Sequence, residues 1–189
     1  MPDLVARSGL EHLAVPRVGA STEAPGVSIA LIEDRALAAV IARRNRAAEL
    51  ADLPRVPRVV TRSGTSFVWA GPGRWLAVAE RISGEAFVTN LREQFGELAS
   101  VIDQSDARIL VRLAGPHARD VLAKCVLIDL HPRTFQPGDT ALTSFGHVRV
   151  HFWQTNASPT YEIAVMRSYA AAFWHQLMEA AAGYGVLVE

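Results

Sequence analysis

Cysteine occurs once in the 189 residues, at Cys125, so the chain has no internal disulfide and no cysteine-based zinc site. Lysine also occurs once, at Lys124, and nearly all the basic charge is therefore arginine. Nineteen basic and nineteen acidic residues cancel, which leaves no electrostatic footprint for nucleic acid or an anionic membrane. No apolar run approaches the roughly 20 residues of a membrane helix. The first 26 residues mix charges, prolines and small side chains, without the basic start and apolar stretch of a secretory signal. These absences describe a soluble, cytoplasmic protein of bacterial type. Gly71-Pro72-Gly73 lacks the third glycine of a dinucleotide loop and sits between two apolar runs rather than opening a helix. A phosphate loop and a Gly-x-Ser-x-Gly elbow are also missing.

Half of the residues are hydrophobic, enough for a sizeable core. Residues 1–26 read as an extended or flexible arm, either disordered or laid across a partner. Order begins with the β-branched run Val27–Ile32, a strand. Asp34 then caps an expected helix with apolar positions Leu37, Val40, Ile41 and the stem of Arg44, closed by Pro54 and Pro57. The runs 67–70 and 75–80 around Gly71-Pro72-Gly73-Arg74 predict a β-hairpin. Ser83 caps a helix with the stripe Phe87, Leu91, Phe95 and Leu98. A second series follows: a strand over 108–113, then a helix opened by Gly115-Pro116 with Ala118, Val121, Leu122 and Cys125 inward. An irregular stretch over 128–139 leads to strands over 141–145, 147–153 and 161–166. A last helix, capped by Ser168, turns Tyr169, Phe173, Leu177 and Ala180 or Ala181 inward.

Both halves thus read strand, helix, hairpin, helix. Matching Val27 with Arg108 and Ser83 with Ser168 suggests a pseudo-repeat, although such units also recur by chance. The expected fold is α+β, one domain over 27–189 with two similar lobes, about 27–99 and 100–189, of mainly antiparallel sheet covered by helices.

Six features are candidates for chemistry or contact. His147 and His151 share a strand about 13 Å apart, too far for one metal ion. With Arg149 and Trp153 they form a row expected to face outward or toward a partner. Asp103 and Asp106 are spaced for an acid/base pair, but a polar turn around Gln104 and Ser105 explains them equally. His117 and Asp120 need a nucleophile to become a triad, and nothing places Ser105 near them. Cys125 on an apolar stripe reads as core. Leu130–Gly138 reads either as a docking loop or as a stiff crossover, its prolines lowering the entropy lost on ordering. Trp69, Trp75, Trp153 and Trp174 suit a core or an interface. No catalytic, cofactor-binding or metal residue is assigned.

Several segments carry a family resemblance. Val101–Arg108, then Leu113-Ala114-Gly115-Pro116-His117-Ala118-Arg119-Asp120 through Lys124, resemble the central signature of sarcosine oxidase gamma subunits. So do Ile128-Asp129-Leu130-His131-Pro132-Arg133-Thr134-Phe135 with Pro137-Gly138, the hairpin 71–76, Arg167–Ala170 with Phe173-Trp174, and the amino end Arg7–Leu13. The resemblance implies the folate-binding fold of aminomethyltransferases and a non-catalytic, structural place in a heterotetramer with alpha, beta and delta subunits, packing mainly on alpha. Such a complex demethylates sarcosine oxidatively to glycine, with hydrogen peroxide released and the one-carbon unit leaving as formaldehyde or captured by tetrahydrofolate. It implies no cofactor in this chain: flavins, NAD and tetrahydrofolate belong to the partner subunits. The alternatives are a free-standing folate-binding or aminomethyl-transferring protein on the same fold, and a relative serving another N-methyl amino acid oxidase.

Overall fold

A computed structural model describes residues 17–18, 25–44 and 46–189. The elements run β1 (Arg17–Val18), β2 (Val27–Ile32), β3 (Arg35–Ala42), β4 (Val59–Arg62), β5 (Thr65–Gly71), β6 (Arg74–Glu80), α1 (Gly84–Phe95) and β7 (Ala99–Asp103). The second half runs β8 (Arg108–Ala114), α2 (Ala118–Cys125), β9 (Thr140–Phe145), β10 (Val148–Asn156), β11 (Thr160–Met166), α3 (Ala170–Ala181) and β12 (Val186–Val188). Apart from β1, which pairs with β12, and residues 25–26, the expected arm lies outside the described residues.

Two sheets result. One has the order β1-β12-β2-β8-β11-β10-β9, the other β4-β5-β6-β3-β7, and every pairing but β12–β2 is antiparallel. Period-2 alternation sorts side chains between layers. In β8, Ile109, Val111 and Leu113 join the core under α2 and α3, while Leu110 points the other way. In β6, Trp75, Ala77 and Ala79 join the core under α1, while Leu76 and Val78 point the other way. Leu110, Leu76 and Val78 meet Leu37, Val68, Trp153 and Ala164 in a third core between the sheets. The layers are therefore helix, sheet, sheet, helix.

The pseudo-repeat is real, but its register differs from the sequence match. The run β9-β10-β11-β8-β2 copies the order β4-β5-β6-β3-β7, so β8 corresponds to β3, β11 to β6, and β2 to β7. α1 follows β6 as α3 follows β11. Arg108 therefore matches Arg35, not Val27. The halves also exchange their leading strands, since β2 pairs with β8 and β7 with β3.

The expected helix after Asp34 is the strand β3. Its apolar residues satisfy both periods, but Ala36, Ala38 and Val40 are fully buried on one face and Leu37 on the other. Pairing with β6 and β7 on both edges decides for the strand. The hairpin forms as expected, with Pro72-Gly73 as its tip and Gly73 at φ +66. Ser83 caps α1 by accepting the Ala86 N–H at 3.3 Å, and Phe87, Leu91 and Phe95 are buried. α3 begins after a 3-10 turn over Arg167–Tyr169, so Ser168 is not its cap, and Tyr169 is 54% exposed rather than inward. Among the described residues no helix is long and apolar enough to cross a membrane.

Candidate functional site

Among the described residues the chain crosses between the sheets twice, at 33–34 from β2 to β3 and at 104–107 from β7 to β8. The crossings are tied together. Ser105 Oγ accepts the Leu37 N–H at 3.1 Å and donates to the Leu37 carbonyl at 3.3 Å, and the Gln104 N–H donates to that carbonyl at 2.8 Å. The Arg81 N–H donates to the Asp34 carbonyl at 3.0 Å, and its repeat equivalent, the Arg167 N–H, to the Ala107 carbonyl at 2.9 Å. Between these crossings opens a cleft of about 610 Å³. Arg35, Arg81, Arg108 and Arg167 line it. Exposed Glu33, Asp34 and Asp106 stand beside them.

These arginines differ in what answers their charge. Arg35 donates from Nη1 to Glu162 Oε2 at 3.1 Å and pairs through Nη2 with Glu80 at 2.7 Å. Glu162, only 4% exposed, also accepts from Arg112 at 3.3 Å. Arg108 donates from Nε to the neutral amide oxygen of Gln104 at 3.3 Å, and burial holds its guanidinium below the usual arginine range. Arg167 donates from Nε to the Asp106 carbonyl at 2.7 Å.

Asp103 and Asp106 are the polar turn, not an acid/base pair. Asp103 Oδ1 accepts the Ser105 N–H at 2.8 Å, a local turn bond, and both carboxylates are exposed. His117 Nδ1 lies 2.8 Å from Asp120 Oδ2, and its ring stacks on Tyr184 with centroids 4.7 Å apart. Ser105 precedes one end of β8 and His117 follows the other, about 20 Å away along the strand, so no triad forms.

The row is split, and His147 lies in the turn before β10 rather than on the strand. His147 and Arg149 are exposed, but His151 and Trp153 are 2% and 3% exposed because the chain's own second sheet covers them. The expectation that the whole row faces outward or a partner fails for this half: sequence alternation identifies a second face but not what lies over it. His151 Nε2 lies 3.1 Å from the Trp69 carbonyl, which can only accept, so Nε2 carries the proton. Thr140 Oγ1 sits 3.0 Å from the same nitrogen and donates to the Phe152 carbonyl at 2.9 Å. Burial, with the Arg108 charge second, pushes His151 down to about 4. Cys125 is half-buried, and burial pushes its thiol up, Lys124 opposing. Among the described residues no three His, Cys, Asp or Glu side chains converge as a metal site.

The stretch 128–139 is anchored from below. Arg119 donates to the carbonyls of Leu130 and Phe135 and to Gln154 Oε1, and Leu130 and Phe135 are buried. Its far end reaches the other sheet, where the Val59 N–H donates to the Gly138 carbonyl at 2.7 Å and Arg58 pairs with Asp139 at 3.1 Å. It joins α2 to β9 of one sheet and bonds at its far end to the other, while His131, Pro132, Arg133 and Thr134 remain exposed. Sequence reasoning missed the buried pair Glu162–Arg35; its only signal was a carboxylate inside the apolar run Tyr161–Val165.

Residues 32–183 match the sarcosine oxidase, gamma subunit family. The sarcosine oxidase subunit gamma of an Arthrobacter species is 34% identical over 165 residues, 82% of this chain and 80% of that one. The chain belongs to the sarcosine oxidase gamma subunit family. The gamma subunit of Corynebacterium sp. strain U-96 is also 34% identical, over 119 residues, covering 62% of this chain and 57% of that one. A chain of the solved heterotetrameric sarcosine oxidase from Corynebacterium sp. U-96, in complex with pyrrole 2-carboxylate, superposes with a TM-score of 0.79 at 28% identity, covering 93% and 94% of the two chains. The glycine cleavage system aminomethyltransferase T from Bartonella henselae superposes with a TM-score of 0.65 at 18% identity, over 87% of this chain and 48% of that one. That likeness shows a shared fold and agrees with the α+β, aminomethyltransferase-like architecture expected from the sequence.

Proposed function

We propose that this chain is the gamma subunit of a heterotetrameric sarcosine oxidase and serves there as a structural component. The observation that carries this is the match to a chain of the Corynebacterium complex over nearly the full length of both. In this assignment alpha, beta and delta subunits are the partners, mainly alpha. They hold the flavins, NAD and tetrahydrofolate, and oxidise sarcosine to glycine with hydrogen peroxide and a one-carbon unit as products. The cytoplasm is the expected location.

The polar groups nearest to catalytic patterns support a structural role, because each already has a local task. Glu162 neutralises partly buried Arg35, His151 bridges the sheets as a neutral donor, and Ser105 locks the two crossings. The exposed side of the 131–134 segment, held from below by Arg119, presents a prepaid conformation to a partner.

Co-expression with alpha, beta and delta chains from the same source tests the proposal. The expected result is one complex containing all four, with sarcosine oxidation that depends on the other chains. Failure to co-purify overturns it. So does sarcosine turnover, or micromolar tetrahydrofolate binding, by the purified chain alone; the latter supports the free-standing folate-binding alternative.

A further inference from the structure

The two repeats treat their leading arginines differently. Arg35 opens β3 and pairs in register with Glu80 of β6; Arg108 opens β8 and pairs in register with Met166 of β11. Across the sheets Arg35 reaches Glu162 of β11, whose repeat equivalent on β6 is Leu76. The first repeat therefore surrounds its arginine with two carboxylates, and the second offers a thioether and a leucine at the matching places. Among the described residues no carboxylate lies within ion-pair distance of Arg108, whose one side-chain hydrogen bond goes to neutral Gln104. A half-buried guanidinium answered only by an amide is undercompensated.

We propose that the cleft between the crossings binds a small monocarboxylate, held by Arg108 where Arg35 holds Glu80 and Glu162. The planar guanidinium fork matches a carboxylate in two parallel hydrogen bonds. The cleft of about 610 Å³ lies in the size range of small-molecule sites. Buried Ile109 and Leu110 offer apolar wall to the rest of such a ligand. Exposed Glu33, Asp34 and Asp106 at the mouth disfavour a dianion and so select a carboxylate over phosphate. Exposed Arg81 stands on the same cleft and attracts the anion from solution.

The test is thermal unfolding of the full chain in sodium acetate, sodium benzoate, sodium phosphate or sodium chloride at matched ionic strength. Acetate and benzoate raise the midpoint of the wild type above chloride by more than they raise that of Arg108→Gln; phosphate, which stabilises folded proteins generally by exclusion from their surface, raises both alike. Arg108→Gln weakens carboxylate binding about tenfold or more, as expected for hydrogen bonds to a charged group. Met166→Glu restores the carboxylate of the first repeat, raises the midpoint in chloride and abolishes the excess response to acetate seen in the wild type. That variant decides the matter even where Arg108→Gln fails to fold. Equal midpoints in carboxylate and chloride, a phosphate response that Met166→Glu also removes, or an undiminished acetate response in Met166→Glu overturns the proposal. None of these outcomes depends on assembly with other subunits.

Discussion

Replacing Glu162 by Gln asks whether the two sheets are joined by charge or by packing alone. The Glu162 side chain is 5% exposed and faces Arg35, 14% exposed, and Arg112, 43% exposed. Breaking a buried pair by removing one partner costs about 3–5 kcal/mol, because the other charge stays buried. Here Glu80 still touches Arg35, though it is half-exposed, so the lower end of about 3 kcal/mol is expected. The Arg112 pair adds little, about 0–1 kcal/mol, since more than a third of that side chain is in water. For a chain of this length about 3 kcal/mol corresponds to a midpoint lower by roughly 6–12 °C. The double variant Arg35→Met with Glu162→Leu removes both charges and should recover most of the loss, because an ion pair replaced by apolar groups of similar size is often neutral. Urea unfolding of wild type, both singles and the double closes the cycle. A cost for Glu162→Gln under about 0.5 kcal/mol, or additive singles, refutes the claim that this pair joins the sheets.

Three further outcomes are expected. His151, lowered to about 4 in the folded chain from an ordinary 6.5, binds fewer protons folded than unfolded between those values. Its contribution is therefore complete above about pH 6.5 and lost as pH falls toward 4, about 3 kcal/mol in all, and His151→Gln should flatten the pH dependence of urea unfolding in that window. Among the described residues the Tyr161 hydroxyl is buried without a hydrogen-bond partner, so Tyr161→Phe should raise stability by about 1 kcal/mol; a loss of that size means the hydroxyl is satisfied in solution. Gly115 has φ +118, and a Cβ there meets the Gly26 carbonyl oxygen at 2.6 Å and Val27 Cα at 3.0 Å. Gly115→Ala should cost at least about 2 kcal/mol by chemical denaturation, since both obstacles are backbone.

Much of the local structure was legible in the residues. Pro72-Gly73 marked the hairpin, Ser83 with Phe87, Leu91 and Phe95 marked α1, and Gly115-Pro116 marked the entry to α2. The signals were local: a fixed φ, a side-chain cap, an apolar stripe. The β3 error has the opposite origin. Ala36, Leu37, Ala38 and Val40 fit either period, and alanine favours a helix when alone. Two flanking strands and a core on each face overrule that preference.

The sequence by itself determined the family, the α+β class and the pairing of two similar halves, because caps, turns and apolar periods act over a few residues. Only the tertiary structure decided that the halves exchange strands, that His151 and Trp153 face the chain's own second sheet, and that Arg35 meets Glu162 across 127 positions while Arg108 meets no carboxylate among the described residues. Those facts depend on which face of one sheet lies on which face of the other. Alternation along a strand shows that it has two faces but carries no record of what covers each.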